Sequence, residues 1–66
     1  MKIIEEKTDS GELLTLTFRS DESESTADFK QAVRVWLTDN YPDMTWQEIF
    51  TRMVILGSDR IILDME

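Results

Sequence analysis

The stretch DFKQAVRVWLTDNYPDMTWQEIFTRMVIL, residues 28–56, decides the fold of this chain. Phe29, Ala32, Val33, Trp36 and Leu37 fall at i, i+3, i+4, i+7 and i+8, the apolar stripe of a helix with one buried face. Beyond a break at Tyr41-Pro42-Asp43, Trp46, Ile49, Phe50 and Met53 repeat that spacing. Both Trp residues and two of the three Phe residues lie on these stripes, and one aromatic side chain buries roughly 150–250 Å². The spacing therefore predicts a helix pair with Trp36 and Trp46 both in the core, onto which the rest of the chain packs.

The ends of both helices can be read from short signals. Ser25-Thr26-Ala27-Asp28 has the hydroxyl-then-carboxylate spacing of a capping box, and Pro42 disfavours helical geometry at Tyr41, so the first helix should run to about Asn40. Thr45 and Glu48 form a second capping box, with Met44 and Ile49 at the positions of a hydrophobic staple. Two endings are open to the second helix. Gly57 can serve as the left-handed residue after a helix reaching Leu56, leaving Arg60–Met65 as a strand. Alternatively the helix ends near Thr51 and Met53–Leu56 pairs with residues 60–65 across Gly57-Ser58-Asp59 as a hairpin, which the β-branched pair Val54-Ile55 favours. The helical periodicity through Met53 favours the first ending.

Working back toward Met1, Leu14, Leu16 and Phe18 alternate with Thr15, Thr17 and Arg19. That is a strand over 13–19 with one apolar face. Residues 2–8 form a weaker strand whose Glu5, Glu6 and Lys7 suit a sheet edge, and Asp9-Ser10-Gly11-Glu12 supplies the turn between them. The expected architecture is an α+β domain over residues 1–66, ββααβ, with an antiparallel sheet of about three strands and two helices packed on one face. A shorter second helix with a C-terminal hairpin, ββαββ, is the alternative.

A domain of 66 residues is marginal. It contains no Cys or His, so neither a disulfide nor a zinc site staples it, and stability must come from packing or from association. Self-association as a homodimer is therefore expected, with Val35, Val54, Ile55 and Ile62 off the main stripes and free to supply a second apolar surface. No apolar run approaches the roughly 20 residues of a membrane span, and the first residues lack the apolar region of a signal peptide. The expectation is a soluble, cytoplasmic protein.

Fourteen Asp and Glu stand against seven Lys and Arg, a formal net charge of −7. Such a chain repels nucleic acid and anionic lipid and attracts basic surfaces. The residue types that most often carry acid–base, nucleophilic or metal chemistry are missing, as are phosphate-binding glycine motifs, so the chain reads as a non-enzyme without cofactor. The acidic run from Asp21 offers oxygen ligands, but at the sixth and twelfth positions of a calcium loop it places Thr26 and Ala32 rather than Gly and Glu. No metal site is assigned.

What remains is interaction. The sequence reads as a small acidic protein, compatible in composition with bacterial or phage accessory proteins, that binds a basic protein surface and modulates or inhibits it. A nucleic-acid mimic works in this way. Asp21, Glu22, Glu24, Asp28, Asp39 and Asp43 are the candidate partner-binding residues. Two alternatives belong beside it: a helix-turn-helix-like DNA-binding regulator using Lys30, Arg34 and Arg52, which the net charge disfavours, and a small self-associating structural domain.

Overall fold

The computed structural model describes residues 1–66. Strand β1 (Lys2–Lys7) and strand β2 (Leu13–Arg19) are followed by helix α1 (Thr26–Asn40) and helix α2 (Trp46–Arg52), then by strand β3 (Met53–Leu56) and strand β4 (Arg60–Asp64). The four strands form one antiparallel sheet in the order β1-β2-β4-β3. The α+β class and the placement of two helices on one face stand as read from the sequence. The strand count is four rather than three.

The difference lies at the end of α2. The helix stops at Arg52, and Met53 is at once its C-cap, with φ −93° and ψ 136°, and the first residue of β3. Val54 and Ile55 take the extended backbone that β-branched side chains favour. The segment then pairs in register with β4, Met53 opposite Leu63 and Leu56 opposite Arg60. Gly57 has φ 68° and turns the chain between the two strands. The helical spacing of Trp46, Ile49, Phe50 and Met53 thus ends one residue before its last member.

Elsewhere the local signals act as their chemistry suggests. Ser25 Oγ accepts from the Asp28 backbone N–H at 3.1 Å, and Thr45 Oγ1 accepts from the Glu48 N–H at 3.2 Å, so each helix begins on its capping hydroxyl. The Tyr41 N–H donates to the Leu37 carbonyl at 2.8 Å and closes α1 just ahead of Pro42.

Eight buried residues make the core: Leu16, Phe18, Ile61 and Leu63 from the two central strands, and Phe29, Val33, Leu37 and Ile49 from the helices. Half of the core therefore comes from the sheet, more than the aromatic count of the helices implies. Trp36 is half-buried, its ring edge-on to Phe18 with centroids 5.4 Å apart. Trp46 is 40% exposed and does not belong to the core. A helix of two turns can bury only one narrow stripe, and on α2 that stripe is Ile49 alone. On β2 an extra residue near Leu14 shifts the register against β1 between Glu6 and Lys7. Leu13 rather than Leu14 consequently packs against the core.

Candidate functional site

No polar or charged residue is buried. No three Asp or Glu side chains come together as a metal site would need. No helix is long and apolar enough to cross a membrane. What the molecule offers a ligand is its surface.

The six carboxylates singled out from the sequence separate into two groups. Asp21, Glu22 and Glu24 lie in the connector ahead of α1 and Asp28 lies in its first turn. Asp39 is in the last turn of α1 and Asp43 in the turn that follows. Asp28 and Asp39 are about 16 Å apart along the helix at 1.5 Å per residue. Within the first group, Asp21 and Glu24 are already engaged. The α-ammonium of Met1 contacts Asp21 Oδ2 at 2.6 Å and Glu24 Oε1 at 3.4 Å. That hydrogen bond to Asp21 raises the ammonium pKa above its usual value and lowers that of the Asp21 carboxyl. Of the fourteen carboxylates only Asp21, Glu24 and Glu5 have a cation in ion-pair contact, and every one except half-buried Glu24 is exposed. The negative charge is therefore turned outward, over several faces.

The most concentrated feature is apolar. Trp46 and Phe50, one turn apart on α2, lie against each other with centroids 6.0 Å apart, 40% and 62% exposed. They form one lip of an open groove of about 170 Å³. Val33 and Leu37 of α1 and Ile61 of β4 make its floor, while Met53 and Ile55 of β3 make the far wall. Lys30 and Arg34 stand at the rim, and the Arg34 guanidinium lies 5.7 Å from the Trp46 ring centroid, a cation–π contact. On the other side of Trp46 a small hollow is lined by Leu37, Tyr41, Pro42, Met44 and Ile49. Beyond it Asp43 and Glu48 share a shallow recess with Tyr41 and Pro42. Of the candidate set, Asp43 thus lies in the recess that adjoins the hollow beside Trp46, while Asp21 and Glu22 line a separate polar hollow with Lys2 and Arg19.

Of the cations suggested for DNA contact, Lys30 and Arg34 share the rim of the groove, while Arg52 lines a separate recess. Arg34 is stacked on Trp46, and Arg52 Nη1 donates to the Glu66 carbonyl at 2.7 Å and toward the Asp64 carbonyl at 3.4 Å, tying α2 to the end of the chain. The groove itself escaped the sequence reading because Trp46 and Phe50 were assigned to the core on periodicity. The signal that exposes them is Val54-Ile55. It cuts the helix short and leaves its aromatics on a segment too brief to bury them. Comparison with protein-family models, with curated proteins and with solved structures finds no match, so the functional reading rests on this geometry alone.

Proposed function

We propose that this chain is a non-catalytic interaction domain that binds a basic protein surface, with Trp46, Phe50 and Ile55 as the apolar anchors and the carboxylates around the turn between the helices, Asp39, Asp43 and Glu48, as the charged contacts. The observation that carries the reading is the exposure of Trp46 and Phe50 beside an open apolar groove, 40% and 62% respectively. Aromatic side chains are enriched at the centres of protein interfaces, and a cluster of large apolar groups rimmed by charge is characteristic of a docking surface. Burial of two aromatic rings there supplies affinity. The net charge of −7 supplies direction, since it speeds encounter with cationic proteins and repels nucleic acid. A chain without catalytic groups acts on such a partner by occupying its surface, which makes inhibition or modulation the natural outcome. Where that surface is one that holds nucleic acid, the chain acts as a mimic.

The test is affinity capture with three forms of the protein: wild type, Trp46→Ala with Phe50→Ala, and Asp39→Ser with Asp43→Ser. Wild type should retain a basic protein in near-stoichiometric amount. The aromatic variant should lose it, and the acidic variant should hold it more weakly with reduced salt sensitivity. Retention of the same protein by the aromatic variant, or binding of duplex DNA by wild type, contradicts the proposal.

A further inference from the structure

The face of the sheet turned away from the helices carries a charge pattern that neither the core nor the groove uses. Strand register sets its side chains in three rows that run across the strands. Lys2, Arg19 and Arg60 stand directly opposite one another in the first row, which ends at Leu56. Ile4, Thr17, Ile62 and Val54 make the middle row, one β-branched residue from each strand. Glu6, Thr15 and Asp64 make the last.

No element covers this face, and Ile4 and Val54 are 50% and 52% exposed. Three of the seven basic residues of the chain stand in the first row, and none of them has a carboxylate in ion-pair contact. Asp21 and Glu22 share a hollow with Lys2 and Arg19, and Asp59 precedes Arg60 in the turn, so acidic groups flank the row without pairing to it. Like charges directly opposite on neighbouring strands destabilise a sheet. In the isolated chain this row is a cost.

We propose that this face is the interface of a homodimer, formed by a second copy laid over it sheet to sheet. The two-fold axis lies between the sheets and runs along the middle row. That operator sets each strand over its own copy with the direction reversed. Lys2 then faces Glu6 of the partner subunit and Arg60 faces Asp64 of the partner subunit, and both pairs recur by symmetry. The middle rows meet each other, Ile4 and Ile62 included. The opposite choice, an axis along the strands, sets Arg19 against Arg60 of the partner subunit and is rejected by the charges. Two sheets stacked about 10 Å apart and aligned to within about 30° are an ordinary packing, and a two-fold interface requires this kind of self-complementary surface.

The three rows hold eleven side chains, about half of the 20–30 residues a side of a standard interface. The patch is therefore small for an interface, and the dimer forms at the upper end of the micromolar to near-millimolar concentration range. The surface is distinct from the groove, so it leaves that docking site open.

Arg60 and Asp64 lie four residues apart on one strand, about 14 Å at about 3.4 Å per residue. They cannot pair within a chain. A charge swap therefore tests the pair across the dimer free of any Arg60–Asp64 ion pair inside one subunit, and the double reversal controls for the contacts each residue makes with Arg19 and the Glu66 N–H of its own chain. Sedimentation from micromolar to near-millimolar concentration should show wild type passing from the monomer to the dimer mass. Arg60→Asp and Asp64→Arg should each weaken association about tenfold or more, because each sets like charges face to face. The two together should restore it to within about threefold of wild type. Lys2→Glu with Glu6→Lys repeats the test on the edge strand, should the β4 variants fold poorly. A monomer mass at every concentration overturns the proposal. So does a dimer indifferent to the single reversals, or one that the double reversals fail to restore.

Discussion

Phe18 and Phe50 carry the same side chain on opposite terms. Phe18 has no exposed surface and packs against Trp36 and the helix residues of the core, whereas Phe50 is 62% exposed and lies beside Trp46 on the lip of the groove. Truncating a buried Phe removes both transfer energy and packing, about 3–5 kcal/mol, which is comparable with the whole stability of a domain this small. Phe18→Ala should leave the chain unfolded by circular dichroism. Phe50→Ala should melt cooperatively with a change in stability of less than about 1 kcal/mol, because an exposed side chain loses little on removal. A second residue-scale effect is the ion pair of the Met1 ammonium with Asp21. The ammonium pKa is raised above 8.0, so its contribution is complete below pH 8.0 and disappears as pH rises through the raised value. The Asp21 pKa is lowered below 3.8, so its contribution is complete above pH 3.8 and disappears as pH falls through the lowered value. Thermal melts should show the contact between those limits, and acetylation of the α-amino group should flatten the alkaline side. At this scale the alternation of β2 was legible for Leu16 and Phe18, which point inward as their spacing says. It failed at Leu14, because the register shift against β1 is set by pairing between strands and leaves no mark on one strand alone.

Among the elements, α2 and β3 show where local signals compete. The capping hydroxyl of Thr45 fixes the start of α2, and with only seven residues the helix has few other bonds to hold it. Thr45→Ala should cost about 1 kcal/mol in urea denaturation. Gly57 takes φ 68° in the β3–β4 turn, where a side chain is disfavoured by about 1–2 kcal/mol, and a Cβ there would also come to 3.6 Å from Asp59 Oδ1, an ordinary contact. The strain is therefore in the backbone, and Gly57→Ala should destabilise by that amount while Gly57→Asn, which tolerates positive φ better, should cost less. The boundary between α2 and β3 was only half legible. Helical periodicity ran through Met53, and β propensity began at Val54. The hydrogen-bond ladder to β4 decided between them, since it gives the segment a partner at every residue. Trp46 and Phe50 were misread for the same reason: whether a stripe is buried depends on how long its helix is, and that length was set by the strand that follows.

For the molecule as a whole, the layering leaves two surfaces with different chemistry. The helices cover the central strands but stop short of β3, so the apolar groove opens between them and that edge. The far side of the sheet stays bare, with cations at one end and carboxylates at the other. The net charge and the absence of His and Cys were legible from composition. The groove and the charge rows were not, because both depend on which strands lie side by side. The carboxylates proposed as one site fall at two ends of α1, a separation that the length of that helix sets. The central claim, that the lip formed by Trp46 and Phe50 is where a basic protein docks, can be tested by following Trp46 itself. In a Trp36→Phe background Trp46 is the only indole, and acrylamide should quench its fluorescence readily in the free protein. On addition of the captured basic partner, the quenching should fall several-fold and the emission shift to shorter wavelength. Formation of the complex with Trp46 still as open to acrylamide as before would contradict the account.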